Sequence, residues 1–187
     1  MDPPGPVFFA RSLDASIELL TRQDFAARLP RMEALGIDIG NVIIAGGSAA
    51  ADTDFFTGDH LRTPAIPGAF DVISRLVRER FGERVYLISK AYKRVEKRTI
   101  EWLQHHDFAN ATGIAPERWH FVRERIEKGP LCGRLGITHF IDDKAENLEY
   151  AKQHGATHLY LFGSADAYPT GHPCPDWAGI AALLLPA

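Results

Sequence analysis

Four apolar runs of strand length, separated by stretches of helical periodicity, constrain the fold of this chain most. The runs cover residues 36–44, 84–89, 138–142 and 157–162, and helical spacing marks residues 68–81, 92–106 and 145–154. Strands that are apolar along their whole length are typical of parallel sheets covered by helices on both faces. The sequence therefore predicts an α/β fold, a Rossmann-like parallel sheet sandwiched by helices.

Polar residues stand near the ends of three of these strands. Asp38 precedes a tight turn at Gly40-Asn41, Ser89 ends the second run, and Asp142 and Asp143 end the third. Ligands of open α/β sheets bind outside the carboxyl ends of the strands, beside the switch in strand order. We therefore expect these side chains to meet at one edge of the sheet although they lie far apart in sequence.

The length and composition allow one domain with a short extension. The chain has 187 residues, 45% of them hydrophobic and 24% charged, which is typical of a globular protein with one core. Residues 1–34 begin with a Pro/Gly-rich stretch and continue with helical spacing, so we expect an N-terminal arm with a helix. Residues 35–187 form the predicted α/β domain. The arm either covers the site or mediates dimerisation, and its residues do not decide between these roles.

Several classes of protein are disfavoured. No segment approaches the roughly 20 apolar residues of a membrane span, and the first residues lack the pattern of a signal peptide. The formal net charge of -3 argues against broad binding to nucleic acid. Cys132 and Cys174 are too few for a disulfide framework and too far apart for a metal-type pair. We expect a cytoplasmic protein with neither a membrane nor a nucleic-acid partner.

Four segments of the chain carry a family resemblance. They are Asp38-Ile39-Gly40-Asn41-Val42, Ser89 after Tyr86-Leu87-Ile88, Lys128, and Ile141-Asp142-Asp143-Lys144-Ala145-Glu146-Asn147. In this order they resemble the four motifs of the haloacid dehalogenase-like (HAD) hydrolase superfamily, over roughly residues 36–162. The run from Cys132 to Asp143 and the helix start at Pro67-Gly68-Ala69-Phe70 are most similar to members near the 5'-nucleotidases. The resemblance implies a HAD-like core.

The resemblance also implies roles in catalysis. Asp38 would attack phosphorus and form an aspartyl-phosphate, which splits one hard displacement into two easier ones. Ser89 would hydrogen-bond a phosphoryl oxygen, and Lys128 would neutralise charge on the nucleophile and the transferring group. The alternatives are a turn-forming Asp38, Ser89 as the N-cap of the next helix, and Lys128 as a solvated residue of a charged run. Lys90 or Lys144 would compete with Lys128 for its role.

A magnesium site is implied by the same motifs. Mg²⁺ prefers octahedral oxygen ligation and usually keeps several waters. Asp38, the backbone carbonyl of Gly40 and Asp143 would supply protein ligands, with Asp142 in or just outside that shell and Asn147 supporting it. Adjacent carboxylates at a buried strand end repel each other, so a cation is expected beside them. The alternative is a turn without a metal ion.

Gly40 stands where phosphatases of the family usually have a second Asp, the proton donor. One interpretation is a substrate whose leaving group needs little protonation, such as an anomeric sugar, acyl or aryl phosphate. Another is a catalytically degenerate module that binds metal or phosphate, or serves in interactions, without turnover. Phosphotransfer or another HAD activity also stays open. In a further interpretation the chain is a phosphatase whose proton donor comes from the loop after Ala45. The candidates in that loop are Asp52, Asp54, Asp59 and His60.

Neither slot in which the family inserts cap domains has room for a sizeable cap. The first holds only the loop from Ala45 to Pro67, and the second, from Lys90 to Glu127, fits one helix and a strand. An open site is less suited to enclosing a small metabolite. The sequence thus predicts a capless, Mg²⁺-dependent phosphohydrolase that acts on a phosphorylated, possibly large substrate or completes its site as a homo-oligomer.

Overall fold

The computed structural model describes residues 32–46 and 59–186. In this part of the chain the strands are β1 (Leu35–Ile37), β2 (Val85–Lys90), β3 (Trp119–Val122), β4 (His139–Asp142), β5 (His158–Phe162) and β6 (His172–Cys174). They form one sheet in the order β3-β2-β1-β4-β5-β6, and every neighbouring pair is parallel. This sheet confirms the predicted Rossmann-like α/β fold. Residues 1–31 of the predicted arm lie outside the described residues.

The helices lie where helical spacing predicts them, with additions. They are α1 (Ala69–Leu76, continued by a π-helical turn at Val77–Phe81), α2 (Lys93–His105), α3 (Phe108–Thr112), α4 (Lys128–Leu135), α5 (Ala145–Gln153) and α6 (Trp177–Leu184). Short 3-10 turns occupy His60–Arg62, Pro116–Arg118 and Arg125–Glu127. Within the described ranges, no helix is long and apolar enough to cross a membrane.

The helices cover the sheet from both faces. Successive side chains of a strand point to opposite faces. Leu87 and Ile141 accordingly belong to the core layer with α1, α2 and α6, whereas Ile88 and Phe140 belong to the layer with α4 and α5. At Gly36 a Cβ atom would lie 2.8 Å from the Phe140 ring, so the central strand needs glycine there to admit this aromatic ring.

The first predicted strand is wrong in its length. Residues 36–44 were expected to be extended, but β1 ends at Ile37 and the chain then turns, with Asn41 at a φ of 58°. Gly40 and Asn41 are exposed, but the apolar residues of the turn are buried, and Val42 and Ile43 are both 0% exposed. The indole of Trp177 closes over the turn by donating a hydrogen bond of 2.8 Å to the carbonyl of Val42.

The connections place a topological switch point between β1 and β4. The chain runs from β1 outward to β2 and β3, then returns to the other side of β1 for β4, β5 and β6. In such sheets a crevice forms outside the carboxyl ends of the two strands at which the order reverses. Here those ends carry Asp38 and Asp142.

Candidate active site

Three acidic side chains meet at this switch point. Asp38 follows β1 directly and its N–H donates 2.9 Å to the carbonyl of Ile141, which fixes the chain as it leaves the sheet. Asp142 is the last residue of β4, and Asp143 comes next. One carboxylate oxygen from each Asp lies within 4.8 Å of the others. The structure thus brings together the three carboxylates that the sequence placed at strand ends.

Lys128 joins this cluster from the first turn of α4. Its side chain is 1% exposed, and its Nζ atom lies 3.0 Å from Asp38 Oδ1 and donates 2.7 Å to Asp142 Oδ2. Burial by itself lowers the pKa of this ammonium, but the charges of Asp38 and Asp142 outweigh that effect and hold the pKa well above its ordinary value. Lys128 is therefore a fixed positive charge, rather than a solvated member of the charged run before it.

The residue after Lys128 allows α4 to pack closely against α5. A Cβ atom at Gly129 would lie 2.6 Å from His154 Nδ1 and 2.7 Å from the carbonyl of Tyr150. Pro130 follows, still in the first turn of the helix, where the missing N–H of proline is tolerated. The sequence Lys-Gly-Pro thus brings the lysine to the site by a close helix contact.

Asp142 is held rigidly at the centre of the cluster. The Nδ2 atom of Asn147 donates to both of its carboxylate oxygens, at 2.9 and 3.1 Å, and the N–H of Lys144 donates 2.9 Å to Oδ1. Burial and the nearby charge of Asp38 raise the pKa of Asp142, while Lys128 and Asn147 act in the opposite direction. Two buried carboxylates in this arrangement create a demand for further positive charge.

Asp143 is oriented by a residue to which the sequence analysis gave no separate role. The Nδ2 atom of Asn41 donates 3.0 Å to Asp143 Oδ2, and Lys144 Nζ lies 3.1 Å from the same oxygen. Asn41 has the left-handed backbone conformation that asparagine tolerates better than most residues. The Gly-Asn turn was the signal for this contact, because it directs a short amide side chain toward the neighbouring strand end.

Gly40 and Ser89 lie together beside the acid cluster, in the wall of one cleft. Gly40 is exposed, and a Cβ atom built on it would meet nothing within 4 Å. Ser89 is the penultimate residue of β2, and α2 begins only at Lys93 after Tyr92. The alternative of Ser89 as a helix N-cap is therefore wrong.

The other candidate proton donors and lysines have different partners. Asp52 and Asp54 lie outside the described residues. Asp59 accepts a hydrogen bond from the N–H of Leu61, and His60 Nε2 lies 3.0 Å from Glu101. Lys90 Nζ lies 4.1 Å from the ring centroid of Tyr92 and Lys144 contacts Asp143. Among the three competing lysines, the structure describes a contact with Asp38 for Lys128.

The second cap slot is filled by elements of the core. Residues from Lys90 to Glu127 form α2, α3, β3 and two short 3-10 turns. The first slot can be followed only at its ends, because residues 47–58 lie outside the described part. The described ends are tied together where the N–H of Ala45 donates 3.0 Å to the carbonyl of Pro64.

The donor set fits a hard divalent cation. Carboxylate and carbonyl oxygens are the ligands that Mg²⁺ prefers. Three acids lie together, and Lys128 and Lys144 are the cations that contact them in the described ranges. Asp38 Oδ1 is buried and has an ion pair with Lys128, but no aligned hydrogen-bond donor. An incompletely satisfied buried carboxylate beside two others is where a metal ion would be stabilised.

Comparison with known proteins identifies the fold through solved structures. No family profile and no curated protein matches the sequence. A haloacid dehalogenase-like family hydrolase from Xanthomonas campestris is similar at a TM-score of 0.57 and 12% identity, over 82% of this chain and 94% of that one. D,D-heptose 1,7-bisphosphate phosphatase from Burkholderia thailandensis has a TM-score of 0.56 and 18% identity, over 83% and 99%. A dehalogenase with an intermediate complex has a TM-score of 0.55 and 11% identity, over 85% and 100%.

Proposed function

We propose that this chain, whose fold is that of the haloacid dehalogenase-like hydrolases, is a Mg²⁺-dependent phosphatase in which Asp38 is the nucleophile. The observation that carries the proposal is the buried contact of Lys128 with both Asp38 and Asp142 at the switch point. A lysine that neutralises charge on the nucleophile must contact it, as Lys128 does, whereas a solvated lysine would be exposed. The similar folds among the solved structures include a phosphatase.

The proposed reaction has two displacements at phosphorus. First, a carboxylate oxygen of Asp38 attacks, the bond from phosphorus to the ester oxygen breaks, and that oxygen leaves with the electron pair and takes a proton from solvent. Second, water attacks the aspartyl-phosphate, the bond from phosphorus to the Asp38 oxygen breaks, and inorganic phosphate and the free carboxylate result. The water protons pass to solvent and phosphate.

The remaining polar groups stabilise charge and orientation. Lys128 carries a positive charge beside the attacking carboxylate, where fixed charges are most effective because burial weakens their screening. Ser89, near the end of β2, would donate its hydroxyl to a phosphoryl oxygen. Asp38, the Gly40 carbonyl and Asp143 would hold Mg²⁺, with Asp142 in or just outside that set. When bound, the cation supplies positive charge to the phosphoryl oxygens.

Gly40 limits the substrates that such a site can turn over. General acid catalysis typically contributes about 10² to 10⁴-fold in rate, and glycine has no proton to give. A leaving group that is stable as an anion needs little of that help. We therefore propose aryl, acyl or anomeric sugar phosphates as substrates, rather than simple alkyl phosphates.

A panel assay tests the proposed function. The purified chain is incubated with Mg²⁺ and with aryl, acyl, sugar, nucleotide and peptide phosphates, beside Asp38→Asn. Hydrolysis of at least one activated phosphate that falls by about 10³-fold or more in Asp38→Asn is the expected result, since the nucleophile is lost. Equal background rates from both proteins would instead favour the second candidate, a metal-binding module without turnover, which Gly40 supports.

A further inference from the structure

A narrow cleft adjoins the acid cluster, between the turn after β1 and the first turns of α2. Its volume is about 160 Å³. Its wall includes Gly40 and Ser89, together with Ile39, Ile44, Val95 and Thr99. Pockets for drug-sized ligands have roughly twice this volume or more. The cleft is therefore large enough for a compact group and too small for a folded segment of a polymer.

The chemistry of the wall is mixed. Ile39 and Ile44 are 2% and 4% exposed and present apolar side chains from the turn, and Val95 presents another from α2. Thr99, one helical turn after Val95 and 5% exposed, adds a hydroxyl to this apolar surface. Asn41 and Lys90 also line the cleft, so a ring or short chain with a polar or anionic substituent matches this wall.

The position of the cleft matches the needs of a leaving group. An in-line displacement places the leaving oxygen across phosphorus from the attacking oxygen, so its substituent must lie on the far side of phosphorus from Asp38. The described wall begins at Ile39 and contains Gly40 and Ser89, but not Asp38. A Cβ atom built on Gly40 would meet nothing within 4 Å, so the part of the cleft at Gly40 is open.

We propose that this cleft receives the leaving group of the substrate, and that Val95 and Thr99 determine specificity for phosphate esters of compact, partly apolar groups. This inference rests on the phosphatase function proposed above and narrows it. A large phosphorylated substrate, one of the expectations from the open site, would leave the cleft unused.

The first test fills the cleft by Thr99→Leu. Steady-state rates are measured with acetyl phosphate, which has the smallest leaving group of the three, with p-nitrophenyl phosphate, and with a phosphotyrosine peptide. We expect KM for p-nitrophenyl phosphate to rise about tenfold, because leucine is larger than threonine and lacks its hydroxyl. For acetyl phosphate we expect kcat/KM to stay within about twofold. The matched control Gln104→Leu adds leucine to an exposed position of α2 and leaves both values unchanged.

The second test enlarges the cleft by Val95→Ala and decides the matter if Thr99→Leu does not fold. We expect the ratio of kcat/KM for 2-naphthyl phosphate to that for p-nitrophenyl phosphate to rise about threefold or more. An unchanged ratio, an equal loss for all phosphates in Thr99→Leu, or a wild-type preference for the peptide would overturn the inference while the phosphatase stands. No turnover above the Asp38→Asn background with any substrate would overturn the proposed function and this inference with it.

Discussion

The Nζ atom of Lys128 lies 3.0 Å from Asp38 Oδ1, in a place where only 1% of the lysine side chain is exposed. An ammonium group that leaves water loses several kcal/mol of solvation, which the interior must replace with opposite charge. Asp142 supplies the second carboxylate at 2.7 Å. The chain therefore folds with a protonated lysine already beside the proposed nucleophile.

Replacing Lys128 by Met removes this charge and leaves two buried carboxylates facing each other. We expect kcat to fall about 10² to 10³-fold, and the free energy of unfolding without metal to fall by about 3 to 5 kcal/mol. Activity assays and urea unfolding measure the two effects separately. Lys152→Met, at an exposed position of α5, is the control. A variant with wild-type kcat would show that Lys128 is structural only.

Replacing Gly40 by Asp supplies the acid that the site lacks. The open space at the Gly40 Cβ direction admits the side chain without a clash. We expect kcat/KM to rise about tenfold or more for alkyl phosphates, whose leaving groups need a proton, and to change little for aryl phosphates. Gly40→Asn has nearly the same size but no acidic proton. If both variants respond alike, proton donation at position 40 is not what the wild type lacks.

Mg²⁺ binding at the acid cluster predicts a metal-dependent stability. At about 100 times its dissociation constant, an ion that binds only the folded state adds about 2.7 kcal/mol, a rise in Tm of roughly 5 to 10 °C for a chain of this size. Asp143→Asn removes a ligand, so we expect the rise to shrink to a few degrees at the same concentration. Differential scanning calorimetry with Mg²⁺ and with EDTA measures it. Asp71→Asn, on α1, must retain the full rise.

His139 is a further buried titratable group, at the opposite end of β4 from Asp142. The ring of His139, the first residue of β4, stacks on His158 with ring centroids 4.3 Å apart. Its Nε2 atom lies 3.2 Å from Arg80 Nη2, and its Nδ1 atom lies 2.9 Å from Thr138 Oγ1. Because arginine only donates, Nε2 accepts and the neutral ring carries its proton on Nδ1. Burial, then the charges of His158 and Arg80, lower the pKa of His139 to about 4 against the opposing effect of Glu33.

This lowered pKa gives the fold a dependence on pH. The pKa of His139 is about 6.5 in the unfolded chain and about 4 in the folded chain. Between these pH values the unfolded chain binds a proton at His139 that the folded chain does not bind. The contribution of His139 to stability is therefore present above about pH 6.5 and is lost as the pH falls toward 4. We expect a loss of roughly 1 to 3 kcal/mol over that range. His139→Gln should flatten the curve of unfolding free energy against pH. The exposed His105→Gln should not, and equal slopes in all three proteins would refute the assignment.

The strand-end acids were predictable because their signals are local. The apolar run that ends at Asp142 can be recognised from the residues next to Asp142 alone. Parallel pairing of β1 and β4 then brings Asp142 beside Asp38. The family resemblance identified Lys128 as a candidate, but the sequence did not predict that its side chain is buried. It follows a charged stretch and precedes Gly129, and only the close packing of α4 on α5 turns it inward.

Other features depend on contacts distant in sequence. The turn after Asp38 was expected to be strand because Val42 and Ile43 are apolar, but they are buried under Trp177, 135 residues from Val42. Periodicity cannot report a partner that far along the chain. β6 lies outside the four apolar runs, and it is a strand because it pairs with β5, where Cys174 is opposite Phe162.

Trapping the phosphorylated protein tests the central claim most directly. The chain is mixed with Mg²⁺ and a ³²P-labelled aryl phosphate with the label in the phosphoryl group, quenched in acid within the first turnover, and digested for mass spectrometry. The account predicts label that is stable in acid and released by hydroxylamine, on the peptide that contains Asp38 and absent from Asp38→Asn. Turnover with no label on that peptide, or label on another residue in both proteins, would contradict the account.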